Sequence, residues 1–278
     1  MQKYILGLYE KSMPNSLSIR DKLKAAKKAG FDFLELSVDE TDEKLARLDM
    51  TEAECREITL AIQETGVPIR TMCLSGQRKY PFGSLNETTA SRAMEIMRKA
   101  IDLSVKLGIR IIMLAGYDVF YEESSEETWA RFYSNLKMAV EMAAKAGVIL
   151  GFETMDSSLD TVEKCMKYVT MINSPYLQVY PDIGNITNAA VKYGHDVFAD
   201  YRKGAGHIVA THLKETVPGV FREVPFGTGH VNFEDNIRQA IDMGVRMFVA
   251  ELWDVKDGKW YTNIVDACNF LRNKFPKL

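Results

Sequence analysis

Apolar runs of five to eight residues alternate with longer amphipathic segments along the whole chain. The first run is Tyr4–Tyr9. A helical pattern at Ser18–Ala29 follows, with Leu23 and Ala26 on one face and Gly30 as its stop. Phe31–Val38 reads as the next strand. Thr51 then caps a helix, with Glu54 three residues on to complete a capping box, and Gly66 ends it. Val67–Leu74, Ile109–Leu114, Val148–Glu153, Leu177–Asp182, Ile208–His212 and Arg246–Glu251 read as strands three to eight. Helical patterns at Thr88–Leu107, Ser125–Ala146, Asp160–Ile172, Val197–Lys203, Phe233–Asp242 and Thr262–Lys274 fill the gaps. Gly30, Gly66, Gly108 and Gly147 each stand between a helix and an apolar strand, the left-handed stop expected there.

Strands that alternate with helices imply parallel β/α units. Eight such units favour one (β/α)8 TIM barrel over an open sheet. No Gly-x-Gly-x-x-Gly follows the first strand, so a dinucleotide-binding sheet is not indicated. No Pro/Gly/Ser-rich linker or charge block divides the 278 residues, and one domain spanning 1–278 is expected.

Composition narrows the classes. A formal net charge of −3 gives no basic footprint for nucleic acid. The apolar runs are strand length, so no membrane-spanning helix is expected. Met1-Gln2-Lys3-Tyr4-Ile5 runs directly into a strand, without a signal-peptide pattern. Cys55, Cys73, Cys165 and Cys268 form no Cys-x-x-Cys pair. They read as free thiols in a reducing cytoplasm.

Four strand-like runs end in residues that can bind a metal: Glu153, Asp182, His212 and Glu251. A parallel barrel gathers the carboxyl ends of its strands around one mouth. Each carboxylate follows apolar residues, and ionised carboxylates are rarely buried unless paired or metal-bound. Three carboxylates and an imidazole suit Mn²⁺, Mg²⁺, Co²⁺ or Zn²⁺. Asp182 could instead cap a turn with Gly184, and Glu251 could be an exposed neighbour of Trp253. His207 would lie at the bottom of the barrel, on the side that serves stability.

Longer stretches add a resemblance. They are Gly7-Leu-Tyr-Glu-Lys11, Gly30-Phe-Asp-Phe-Leu-Glu-Leu-Ser-Val-Asp-Glu-Thr-Asp42, Met72-Cys-Leu-Ser75, Met94-Glu-Ile-Met-Arg-Lys-Ala100, Leu114-Ala-Gly-Tyr-Asp-Val119, Tyr180-Pro-Asp-Ile-Gly-Asn185 and Val224-Pro-Phe-Gly227. Over nearly its whole length the chain resembles the L-ribulose/L-xylulose 5-phosphate 3-epimerases of L-ascorbate and related sugar catabolism. These are xylose-isomerase-like TIM barrels, also called hexulose-6-phosphate isomerases. The resemblance implies that Glu153, Asp182, His212 and Glu251 hold the metal. It departs at Thr228, where relatives carry Glu, and at Asn232, where they commonly carry Asp. The segment from Ile186 to His195 reads as longer than in relatives and placed over the site.

The implied reaction inverts C3 of a ketopentose 5-phosphate, L-ribulose 5-phosphate to L-xylulose 5-phosphate, through an enediolate. Glu153 and Glu251, from strands five and eight, flank the four-ligand arc and are assigned as the acid/base pair. Asp182 and His212 are assigned as ligands only. Lys214 either holds a substrate oxygen or pairs with Glu215. Lys11, Arg78, Lys79 and Arg222 are candidates for the phosphate, Asn185 for a substrate contact, and Glu35 for a sugar hydroxyl or a structural role. The expected partner is a small sugar phosphate, with no nucleic acid or membrane partner and a homodimer as a candidate assembly.

Rival readings use the same barrel. An aldose–ketose isomerase would differ in which carbon faces the base, and a non-phosphorylated ketose 3-epimerase in substrate alone. An endonuclease needs a multi-zinc site rich in histidine, and this chain has four histidines. A non-catalytic metal- or sugar-binding module would not need two flanking glutamates.

Overall fold

The computed structural model describes residues 4–276. The segment Met1-Gln2-Lys3, read above for its lack of a signal-peptide pattern, lies outside them. Eight strands run in the order expected: β1 (Ile5–Tyr9), β2 (Phe33–Ser37), β3 (Ile69–Leu74), β4 (Ile111–Ala115), β5 (Ile149–Glu153), β6 (Leu177–Val179), β7 (Thr211–Leu213) and β8 (Met247–Ala250). All paired neighbours are parallel, in the order β6-β5-β4-β3-β2-β1-β8-β7. Two further parallel bridges, Val179 to Ile208 and Asp182 to His212, join β6 to β7 and close the barrel.

The helices are α1 (Ile19–Ala29), α2 (Asp42–Ala46), α3 (Glu52–Thr65), α4 (Glu87–Leu107), α5 (Glu126–Ala146), α6 (Val162–Ile172), α7 (Ile183–Tyr193), α8 (Val197–Arg202), α9 (Phe233–Asp242) and α10 (Trp260–Lys274). Gly30, Gly66, Gly108 and Gly147 end α1, α3, α4 and α5 in the left-handed conformation. The Thr51–Glu54 capping box is formed. Two helices were not anticipated. α2 is a five-residue turn, too short to show a period. α7 occupies the segment expected to lie over the site. It is instead the crossover from β6 to β7, and within it Asn185 alone lines the central cavity.

Side chains alternate across each strand, so one parity of residues fills the barrel. Phe33, Cys73, Ile111, Met113, Ala210 and Val249 form that inner cluster. Gly7 belongs to it by necessity, since a Cβ there would meet the Phe33 ring at 2.4 Å. The parity of Ile149 continues to Glu153, that of Ala210 to His212 and Lys214, and that of Val249 to Glu251. The barrel's own pleat therefore aims these four side chains into its mouth. The four cysteines are buried free thiols. His207, below the barrel, shares a 3.0 Å hydrogen bond with Gln178.

A buried ion cluster ties the first two loops. Glu10, just after β1, accepts hydrogen bonds from Lys22 (2.7 Å), Lys44 (2.8 Å), Arg47 (2.6 and 2.8 Å) and the Ser37 amide (2.8 Å). Burial pushes its carboxyl up, but Arg47, Lys22 and Lys44 outweigh this and hold it well below the usual range. Its contribution to stability is thus present above the unfolded pKa near 4.3 and lost as pH falls through the folded value. Glu10→Gln strands the buried Lys22 and Lys44 and the half-buried Arg47. It is expected to cost about 3–5 kcal/mol, or roughly 6–20 °C in Tm, readable by thermal unfolding at neutral pH. An unchanged Tm would mean that the cations need no counter-charge.

Candidate active site

The site is built where the inner parity of β5, β7 and β8 meets the turn after β6. Glu153 is the last residue of β5, His212 lies in β7, and Glu251 directly follows β8. Asp182 reaches the same place as the N-cap of α7. Its Oδ1 accepts from the Asn185 amide at 2.7 Å, which leaves Oδ2 facing inward. Asp182 thus caps α7 through one oxygen, and its other oxygen is left for the cluster.

One ligand atom from each of the four residues lies within 4.8 Å of the others. His212 Nδ1 is 2.9 Å from Glu251 Oε2, 3.4 Å from Glu153 Oε1 and 4.0 Å from Asp182 Oδ2. Asp182 Oδ2, His212 Nδ1 and Glu251 Oε2 are buried and make no well-aligned hydrogen bond, their close contacts being with one another and with the Lys214 ammonium. Buried polar atoms are rarely left so. Lone pairs that converge in this way fit a divalent cation, and three oxygens with one nitrogen suit Mn²⁺, Mg²⁺, Co²⁺ or Zn²⁺.

The protonation pattern carries the same demand for positive charge. Burial, then the charge of Glu251, holds the Glu153 carboxyl above its usual range. Burial raises Asp182 strongly against the pull of Lys214. Burial also raises Glu251, but Lys214 and His212 reverse this and hold it well below the usual range. Burial lowers His212, yet Glu35 and Glu251 raise it well above that of a free imidazole. The cluster thus sets an ammonium and an imidazole among three buried carboxylates.

The remaining predicted residues sort by depth. Glu35 does not face the cavity. It sits beneath the site, fully buried, and accepts from His212 Nε2 (2.6 Å), Tyr180 (2.8 Å) and Thr71 (2.7 Å). A sugar hydroxyl has no access to it, and its hydrogen bond to Nε2 fixes the orientation of the imidazole. Lys214 pairs with Asp182 (3.1 Å) and Glu251 (3.4 Å), not with Glu215. Glu215 instead accepts the backbone amides of Thr216, Gly227 and Val231. A Cβ at Gly229 would come within 2.4 Å of Glu215 Oε1, which accounts for the glycine in the Pro225-Phe-Gly-Thr-Gly229 loop.

Lys11, Arg78, Asn185, Lys214 and Arg222 all line the central cavity. Lys79 is exposed, 3.9 Å from Asp42, and does not line it. Lys11 is paired with Asp39 at 2.7 Å, and Arg222 stacks over the Trp253 ring. The Thr228 and Asn232 departures lie outside the cavity lining. Asn232 caps α9 through its side chain, the same service an Asp would give. Sequence reasoning passed over Tyr9, Ser75, Tyr117 and Trp253, which also line the cavity. Each stands at, or within three residues of, a strand end, the position rule that picked out the carboxylates. Being uncharged, they raised no flag.

Comparisons with known proteins place the chain in a family and match its fold. A family model described as xylose isomerase-like TIM barrel matches residues 23–274. The chain is 42% identical over 276 residues to L-ribulose-5-phosphate 3-epimerase UlaE of Shigella flexneri, covering 98% of this chain and 95% of the relative. It is 45% identical over 252 residues to the protein of the same name from Escherichia coli strain SMS-3-5, covering 89% and 87%. In fold it is similar to a D-psicose 3-epimerase from Clostridium cellulolyticum H10 solved with D-tagatose, at TM-score 0.81 and 14% identity over 98% of this chain and 100% of that one. A solved L-ribulose 3-epimerase gives TM-score 0.74 at 20% identity, over 98% and 95%.

Proposed function

The chain belongs to the xylose isomerase-like TIM barrel family, together with its 3-epimerase relatives, and from that premise we propose that it inverts C3 of L-ribulose 5-phosphate. It is an isomerase-class enzyme. The observation that carries the catalytic reading is the convergence of four buried ligand atoms within 4.8 Å, with a glutamate on each flank. The substrate reading rests on relatives at 42–45% identity over most of the chain.

Glu153, Asp182, His212 and Glu251 would hold a divalent cation. Such an ion, when bound, supplies Lewis-acid stabilisation to charge developing on the substrate's C2 and C3 oxygens. Everything else falls to side chains. Inversion requires one proton-transfer group on each face of a planar intermediate. Glu153 and Glu251 enter from separate strands and occupy those two positions. Their environments separate their proton affinities, Glu251 down and Glu153 up, as an acid/base pair needs. Lys214, tied to Asp182 and Glu251, keeps Glu251 ionised. Glu35 accepts from His212 Nε2 and so leaves Nδ1 free to act as the ligand atom. The buried free thiols suit a reducing cytoplasm.

Product analysis tests the reaction class. L-ribulose 5-phosphate should give L-xylulose 5-phosphate. Formation of an aldose 5-phosphate in its place would make the enzyme an aldose–ketose isomerase. The role of Glu35 is checked separately. Glu35→Gln is expected to weaken divalent-cation affinity about 10–100-fold in chelator competition, the size seen for partners of ligating histidines. An unchanged affinity would remove Glu35 from the site.

A further inference from the structure

The central cavity is small for a sugar phosphate. Its volume is about 50 Å³. A benzene ring already takes a cavity of roughly 150 Å³, and ligand sites commonly offer about 300–1,000 Å³. Next to it, under the loops that follow β7 and β8 and against α10, lies a second cavity of about 450 Å³. Three residues line both cavities: Lys214, Glu251 and Trp253. Lys214 and Glu251 are tied into the ion-paired cluster, and Trp253 is not.

Trp253 is half-buried, two residues past Glu251. Its main chain is pinned on both sides. The Glu251 amide donates to the Leu213 carbonyl at 2.9 Å, and the Asp254 amide to the Lys11 carbonyl at 2.8 Å. Its side chain is held by ring contacts alone. Tyr9 meets it edge-on at 6.2 Å, and Lys214 Nζ and the Arg222 guanidinium lie 5.7 and 5.5 Å from its ring centre. Such contacts are individually weak where solvent reaches them. Among the described residues the indole N–H makes no hydrogen bond. The second cavity offers Phe226 and Phe270 for ring packing, and Glu223 and Asp266 as acceptors.

We propose that Trp253 is a movable wall of the sugar site. Its side chain turns about the fixed main chain into the second cavity, and the space it leaves joins the central one to admit the ketose beside Glu153 and Glu251. The proposal rests on the C3-inversion reading above. Other walls have no such freedom. Tyr9, Cys73, Met113 and Tyr117 are each at most 4% exposed, and turning any of them would displace close-packed neighbours.

The test follows Trp253 by its emission. Trp129→Phe and Trp260→Phe leave it as the single tryptophan of the chain. Two further substitutions fill the second cavity from residues that do not line the central one: Ala267→Phe from α10, and Val255→Phe from a rim position that is 45% exposed and can take a ring without repacking the core. L-ribulose 5-phosphate added to the single-tryptophan enzyme should change the emission, with a saturating dependence on sugar. Both filled variants should lose that change. Their kcat/KM should fall about 10–100-fold, chiefly through KM, because the open state becomes rarer. In a Trp253→Ala background, which needs no space behind the wall, Ala267→Phe should cost no more than about three-fold. Thermal unfolding checks that each variant is folded. An unchanged emission in an enzyme that turns the sugar over would overturn the wall while leaving the substrate reading in place. So would folded variants, both within about two-fold of their parent's kcat/KM, or equal losses from Ala267→Phe with and without the indole. A wild type that does not epimerise L-ribulose 5-phosphate would overturn both.

Discussion

Glu251→Gln is expected to lower kcat for C3 inversion by about 10²–10⁴-fold, the usual contribution of a positioned proton-transfer group, with Glu153→Gln in the same range. Both side chains are buried at the mouth, and each presents an oxygen to the shared ligand position. The amide substitution keeps size and removes the proton-accepting oxygen. The two variants are not equivalent. Glu251 has its proton affinity lowered and Glu153 has its raised, so the two variants are expected to slow the two directions of the reaction unequally. Steady-state assays in both directions, with sugar binding followed by calorimetry, check this. Retained binding with lost turnover is the expected result. A rate within a few-fold of wild type would remove that glutamate from the chemistry.

Chelation gives the second large effect. Turnover should vanish with the cation and return when Mn²⁺, Mg²⁺, Co²⁺ or Zn²⁺ is restored. Stability should follow by mass action. Cation at 100–1,000 times its Kd adds about 2.7–4.1 kcal/mol, or roughly 5–15 °C of Tm for a chain of this length. The pH dependence has a definite sign. Asp182, Glu153 and His212 have folded pKa values raised above their unfolded ones. Protons they bind in the folded state stabilise it, and that stability is lost as pH rises through the folded values. Glu251 is depressed, and its share is lost only as pH falls through its low folded value. Chelated protein should therefore lose Tm as pH rises from neutral. The loaded protein should not, because the ligands must shed their protons to bind. The gap between the two curves should widen with pH. Parallel curves would mean that these groups do not exchange protons for a cation.

The barrel was legible because strand and helix periods do not overlap, and because glycine stops mark each return to the sheet. α7 escaped notice for a local reason. Its first turn, Ile183-Gly-Asn185, carries two poor helix formers, and Asp182 reads equally as a turn residue. The four ligand candidates were legible because height and parity along a strand follow from counting residues. Depth and long-range partnership do not. Glu35 has the right parity, yet its partner His212 lies 177 residues away and draws it beneath the site. Lys214 was read against its neighbour Glu215, but the pleat sends the two to opposite sides. Glu215 closes a loop, and Lys214 turns to Asp182 and Glu251. Among the cations at the mouth, sequence could not separate Lys11, already paired, from Arg78, which has no ion pair among the described residues.

The central claim is proton transfer at C3 by groups of this cluster. Its most direct measurement is conversion of L-ribulose 5-phosphate in deuterated water, with the position of label read by nuclear magnetic resonance. The account predicts L-xylulose 5-phosphate bearing one deuterium at C3 and none at C1, with all exchange abolished by chelator. Product formed without label at C3, label at C1 with an aldose product, or C3 exchange that persists in chelator would contradict it.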